Sequence, residues 1–367
     1  MTPTRVAYLV NVFPKLSETF IAGELAELRR RGVELRVLSL RKPQESLRHE
    51  IIARAGLDQI TSYRPEEFAR LLDEFEPQLL HAHFATEPTA AARELATERN
   101  LPFTFTAHGY DIRRKPPPDF AERAAAARAV VTVSRANARF IARAFGVAPE
   151  HIRVIPCGVD TNRFRPADAT AAIGQNAAST TAIPLIVCVA RHVPVKNLGL
   201  VLEACAALGA RGVNFRCVMI GDGPLRGELE EKRRQLSLKK VVRFTGALEQ
   251  AEVLQWWQRA TVAVLASENE GMPVCLMEAA ACAVPAVATA VGGVPELVQE
   301  GLTGLLTEAG DAEALAAALA TLLSKPELAS LLGRAARRHA VEHFSLRRQV
   351  DSLLQLWSQL LAEEKGR

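Results

Sequence analysis

A double alternation constrains this chain more than any other feature. Short apolar runs alternate with segments of helical period, once over residues 5–155 and again over residues 185–289. In the first series the strand-like runs are 5–11, 33–40, 78–83, 103–107, 130–133 and 152–155. Helical segments fall at 18–31, closed by Gly32, at 87–99 and at 134–145. In the second series strands are expected at 185–190, 215–220, 241–244, 262–265 and 285–289. Helices are expected there at 198–210 and 225–236, with another starting at Asp311 as an N-cap. Strand, helix, strand at this spacing predicts an α/β architecture, parallel sheets with helices on both faces. A length of 367 residues is too great for one ordinary core and suits two. Hydrophobic residues make up 49% and aromatic residues 5%, so those cores are aliphatic and alanine-rich.

The stretch 167–181, rich in Ala, Thr, Ser and Asn and without a period, reads as a linker. It separates an N-terminal domain, 1–166, from a C-terminal domain, 182–344. The final amphipathic segment, 345–367, starts at Ser345 as an N-cap and is expected to cross back to the first domain. Two such halves imply a cleft between them. Ligands of open parallel sheets sit beyond the carboxyl ends of strands, so the loops after strands are where chemistry is expected.

The formal charge of +4 does not call for a nucleic-acid partner. Basic clusters occur at Arg29 to Arg31, at Arg113 to Lys115 and at Lys232 to Arg234. They read either as solvated helix ends and loops or as contacts for anionic lipid headgroups. Six cysteines form no C-x-x-C pair and read as reduced packing residues of a cytoplasmic protein. No run of ~18 apolar residues offers a membrane span, and the N-terminus lacks signal-peptide organisation.

Residues 267–297, SENEGMPVCLMEAAACAVPAVATAVGGVPEL, carry the most information. A strand feeds a loop containing Gly271, Met272 and Pro273, and an apolar helix starts at about Val274. Glycine permits close backbone approach, and proline suits the first turn of a helix. The free N–H groups of that turn suit a diphosphate. Glu270 lies before the helix and Glu278 one turn inside it. Carboxylates accept from paired hydroxyls, so Glu278 suits a ribose diol and Glu270 the hydroxyls of a sugar. Both also read as ordinary glutamates near a helix start.

These residues resemble the retaining glycosyltransferases of family 4, whose architecture of two Rossmann-like domains is called GT-B. The match runs from Glu270 to Glu278, through Ala279, Ala280 and Ala281, to Val284, Pro285 and Ala286, and on to Gly292, Gly293, Pro295 and Glu296. It departs at Cys282-Ala283-Val284, where the family commonly has a glycine before the proline. Arg191 and Lys196, in ARHVPVKN, stand where the family places the cations that grip the leaving diphosphate. Arg binds two oxygens and Lys supplies a point charge. Gly221-Asp222-Gly223-Pro224 matches the family turn that shapes the nucleotide pocket. As a dinucleotide fingerprint it fails, because the required third glycine is Arg226. Phe244 and Gly246 belong to a segment resembling the strand and turn beneath the nucleobase.

In the first half, FPKLSETF, which includes Ser17 and Glu18, resembles the loop of bacterial exopolysaccharide, colanic-acid-type enzymes, without the glycine pair of other relatives. Ser17 also reads as an N-cap, with Glu18 favouring the helix dipole. The resemblance makes His108 the histidine that hydrogen-bonds the donor sugar, with Asp111 positioning it or meeting the acceptor. His81 and His83 end another strand and face one way. A metal would need a third ligand, and the sequence spacing shows none.

The expectation is therefore a metal-independent hexosyltransferase that retains anomeric configuration. It uses a nucleotide-diphosphate sugar as co-substrate and no cofactor. Its acceptor is a glycan or lipid-linked hydroxyl in exopolysaccharide or lipopolysaccharide synthesis, and the enzyme is cytoplasmic or peripheral on the inner membrane face. The alternatives are a nucleotide-sugar epimerase of the same fold and a non-catalytic carbohydrate-binding relative.

Overall fold

The computed structural model describes residues 3–45, 47–167 and 183–365. Contacts divide the chain into two compact units. One comprises the residues up to Gly158 together with those from Leu346 onward, and the other is Val159–Ser345. The expected linker, apart from Ala167, lies outside the described residues.

The first unit holds a seven-stranded sheet of β1 (Arg5–Val12), β2 (Glu34–Arg41), β3 (Thr61–Ser62), β4 (Leu79–His83), β5 (Phe103–Ala107), β6 (Ala129–Thr132) and β7 (Ile152–Val154). Their order is β3-β2-β1-β4-β5-β6-β7, and every pairing is parallel. Alternation along β1 shows why the strand is apolar throughout. Val6, Tyr8 and Val10 pack into one core with Leu25, Leu28, Val350 and Trp357. Ala7 and Leu9 pack into another with Leu72, Leu80 and Phe105. A strand covered on both faces needs apolar residues at every position. The helix Leu346–Lys365 supplies Val350, Leu353, Leu356 and Trp357 to the first of these cores.

The second unit holds β8 (Leu185–Val189), β9 (Arg216–Ile220), β10 (Val242–Gly246), β11 (Val262–Leu265), β12 (Ala286–Thr289) and β13 (Gly304–Thr307), in the order β10-β9-β8-β11-β12-β13. All its pairings are parallel. In both sheets the chain runs outward from the first strand in one direction and then resumes on its other side. The switch points lie between β1 and β4 and between β8 and β11, and ligands of such sheets bind beside them.

Two helix starts differ from expectation. The helix after β1 is Thr19–Arg30, with Glu18, not Ser17, at the N-cap and no side-chain cap bond. Glu18 instead pairs with Lys15 at 2.6 Å, and Ser17 is exposed. Pro273 is the N-cap of Val274–Ala281 and not a residue of its first turn. Asp311 caps as expected, its carboxylate accepting from the Ala314 N–H at 2.8 Å. No single described helix is long and apolar enough to cross a membrane.

Candidate active site

At the switch point of the second sheet, the loops after β8 and β11 are tied together. The Glu268 N–H donates to the Val195 carbonyl at 2.9 Å. Lys196 Nζ donates to Glu270 Oε1 at 2.5 Å, and the Ser267 hydroxyl donates to the same oxygen at 2.6 Å. Burial alone would depress the Lys196 ammonium, but the Glu270 carboxylate more than offsets it and leaves the pKa raised. Arg191 is exposed, and its charge is close enough to act against that of Lys196. Cys275, in the first turn of the helix Val274–Ala281, lies within electrostatic reach of Lys196, Glu270 and Glu278. Lys196, Glu270 and the helix start therefore converge.

Gly292 explains how the Glu270 loop is held. Its φ is +53°, and a Cβ there would stand 1.9 Å from the Glu270 carbonyl oxygen. The absent side chain lets the next residue's N–H, that of Gly293, reach that carbonyl at 3.1 Å. Gly271 is half-buried and Met272 and Pro273 are buried beside it. Gly221 brings the turn after β9 against the end of β8, where a Cβ would meet the Ala190 carbonyl oxygen at 2.0 Å. Gly223 follows in the same turn, and Gly246 accepts from the Gly221 N–H at 2.9 Å.

Glu278 is 5% exposed. Its carboxylate accepts from Gln250 Nε2 at 3.1 Å and Trp257 Nε1 at 3.5 Å. Burial pushes its pKa up from 4.5 to about 7, against the pull of those two donors and of Arg163. Phe244 is covered by the guanidinium groups of Arg226 and Arg233, at 4.9 and 5.4 Å. Sequence reasoning missed His192. Its ring stands 5.6 Å from that of Phe244, and both its nitrogens are buried without a partner among the described residues.

At the switch point of the first sheet, His108 follows β5. It stacks on His83 with centroids 5.3 Å apart and stands between Phe20 and Phe84. Burial, and then His83, hold its pKa well below the ordinary value. Asp111 is fully buried and accepts from the backbone N–H groups of Ala85, His108 and Gly109 at 2.7 to 2.9 Å. It fixes the backbone of His108 and is withdrawn from solvent.

The third group expected to be lacking near His81 and His83 is present. Glu24, from the helix Thr19–Arg30, brings its carboxylate within 4.8 Å of both rings. The ring nitrogens are nonetheless committed to protein partners. His81 bonds Thr104 and Thr106 at 2.8 and 3.0 Å, while His83 bonds His108 and Glu24 at 3.0 and 3.2 Å. The sequence signal for Glu24 was a charge on an apolar helix face, since Ile21, Leu25 and Leu28 around it are buried.

Both halves of the chain resemble known proteins. Residues 17–163 match the family described as Glycosyltransferase Family 4, and residues 174–339 match Glycosyl transferases group 1. WcaL of Salmonella typhimurium, named for colanic acid biosynthesis, is 28% identical over 96% of this chain and 99% of its own. The chain belongs to glycosyltransferase family 4. The D-inositol 3-phosphate glycosyltransferase of Saccharomonospora viridis is 33% identical over 62% of the chain, which spans about half of that relative's length, 54%. The Anabaena protein HepE, solved with UDP-glucose, has a TM-score of 0.81 at 17% identity, covering 97% of this chain and 99% of its own. The fold of this glycosyltransferase is thus GT-B, two Rossmann-like α/β units.

Two of the basic clusters of this glycosyltransferase are engaged internally. Arg30 and Arg31 pair with Glu27 at 2.7 and 2.8 Å, and Arg29 donates to the Ala55 carbonyl at 2.6 Å. Lys232 pairs with Glu203 at 2.5 Å, and Arg234 pairs with Glu231. In the third cluster, Arg113 lies over the Phe140 ring at 4.1 Å.

Proposed function

We propose that this glycosyltransferase moves a hexose from a nucleotide-diphosphate sugar to a hydroxyl of a glycan or lipid-linked acceptor. It does so with retention and without a metal ion, in bacterial exopolysaccharide or lipopolysaccharide synthesis. The observation that carries the reading is the convergence of Lys196, Glu270 and the start of the helix Val274–Ala281 at the switch point of the second sheet, with Arg191 nearby. The full-length likeness to WcaL supports the pathway.

In this mechanism the diphosphate lies against the helix N–H groups, Lys196 and Arg191. It gains charge as the glycosidic bond breaks, so these donors act more strongly on the transition state than on the bound substrate. The acceptor hydroxyl attacks from the face the diphosphate leaves, and a phosphate oxygen takes its proton. Glu270 accepts from hydroxyls of the sugar and Glu278 from the ribose diol. His108 contributes a hydrogen bond to a substrate hydroxyl.

Thermal shift with UDP, GDP and their sugars identifies the donor, because a ligand of the native state raises its apparent stability. UDP-glucose, the ligand in the HepE structure, is the first to test. Product linkage read by NMR should show the donor's anomeric configuration, and EDTA should leave the rate unchanged. An inverted product refutes retention, and conversion of donor to an epimer without acceptor refutes transfer. Peripheral attachment on the cytoplasmic face rests on exposed Tyr110 beside exposed Arg114 and Lys115. Flotation with anionic vesicles that fails at low salt counts against it.

A further inference from the structure

Five side chains and one backbone amide form an unbroken hydrogen-bonded chain that ends at His108, and its direction is set at the far end. The Gly158 N–H can only donate, and it reaches Gln349 Oε1 at 2.6 Å. The other end of that amide, Nε2, therefore faces Glu24, donating to Oε2 at 2.5 Å. The Tyr8 hydroxyl donates to Glu24 Oε1 at 2.6 Å. Glu24 is 1% exposed, and donors converging on both its oxygens make it an acceptor. His83 Nε2, 3.2 Å from Oε1, must then carry the proton. When His83 is neutral its Nδ1 accepts, because a neutral imidazole has one donor and one acceptor nitrogen. Its neighbour at 3.0 Å is His108 Nε2, which must donate.

We propose that Glu24 and His83 are positioning residues that hold the proton of His108 on Nε2, so that His108 presents a bare Nδ1 to a substrate hydroxyl as a hydrogen-bond acceptor. Nδ1 has no partner among the described residues and is not one of the buried unsatisfied atoms, since His108 is only half-buried. The ring is also fixed in angle, by His83 on one side and by Phe20 and Phe84 around it. A second hydrogen-bonded chain lies beside the first. Trp357 Nε1 donates to Thr104 Oγ1 at 3.2 Å. Thr104 Oγ1 also stands 2.8 Å from His81 Nδ1, and Thr106 Oγ1 stands 3.0 Å from His81 Nε2. The assignment rests on the reading of His108 as a substrate-contacting residue only for its functional meaning. The tautomer itself follows from the hydrogen-bonded chain with His83 neutral.

The test is long-range proton–nitrogen NMR of the full chain labelled with ¹⁵N-histidine, the rings assigned through His81→Gln, His83→Gln and His108→Gln. Expected are pyrrole-type Nε2 and pyridine-type Nδ1 signals for His108 in the parent. In Glu24→Gln, whose amide can donate, the pattern should reverse or become mixed, and kcat/KM should fall about 10- to 100-fold, as for other outer partners of a functional histidine. Glu24→Asp should restore the parent pattern in part. A protonated Nδ1 in the parent overturns the proposal even if Glu24→Gln does not fold. So does an unchanged His108 pattern in a folded Glu24→Gln. If the tautomer is as stated but His108→Gln transfers sugar at the parent rate, the proton chain stands and the role of His108 under the proposed function falls.

Discussion

Glu278 lies one turn inside its helix, where burial raises its pKa from 4.5 to about 7. The native state therefore keeps a proton that the unfolded chain releases over that window. This contribution to stability is complete below about pH 4.5 and is lost as pH rises through about 7. Glu278→Gln cannot ionise, so it should match the parent near pH 4 and exceed it above pH 7, by up to about 3 kcal/mol. Urea unfolding followed by fluorescence of Trp257, which touches Glu278, reads the difference. Nucleotide affinity should fall in the same variant. Lys196→Met should lower transfer roughly 10²- to 10³-fold, as loss of an oxyanion donor does. Single-turnover rates check it, and a rate within a factor of about two of the parent would remove Lys196 from the mechanism. Legibility differed sharply among residues. Arg191, Lys196, Glu270 and Glu278 lie in short motifs whose spacing around predicted strands and a helix start could be read directly. Glu24 and Gln349 could not be paired, because 325 positions separate them and only the folded sheet brings them together.

Among elements, the strands buried on both faces were the easiest to read, since burial makes them continuous apolar runs. The two-residue β3 is too short to show a period. β13, Gly304–Thr307, opens with a glycine, ends with a threonine and follows Thr303, which blurs its apolar signal. The helix Gln250–Trp257 was missed although Glu249 and Glu252 form a capping box, because its sequence is mixed in polarity. The departure at Ala283 has a structural meaning. Its φ is +61°, in the left-handed region where the helix Val274–Ala281 closes, with its N–H on the Ala280 carbonyl at 2.9 Å. An L side chain is strained there and glycine is not, which is why relatives commonly have glycine. Ala283→Gly should stabilise the second unit by about 1 kcal/mol, measured as a shift in the urea midpoint. An unchanged midpoint would mean that the chain relieves this strain elsewhere.

In the whole molecule, the second unit is contiguous in sequence, whereas the first is assembled from both ends of the chain. Trp357 is fully buried in the core of the first unit and bonded to Thr104. Trp357→Ala should cost that unit about 3–5 kcal/mol, read by hydrogen exchange of β1 and β4. Exchange across the second sheet, and nucleotide binding by the second unit, should be unaffected. The double alternation announced two α/β cores, and the last helix, expected to cross back to the first domain, packs into the core of the first unit. Amphipathicity says that such a helix has a partner, not which one. The order of synthesis gives this arrangement a further consequence. Domains generally fold as units while the ribosome is still at work, and the second unit can do so once residue 345 has emerged. Residues of the first unit precede the second, yet that unit lacks Gln349 and Trp357 until the second has been made. A nascent chain stalled before them leaves Tyr8 and its neighbours in that core without the cover of Val350 and Trp357.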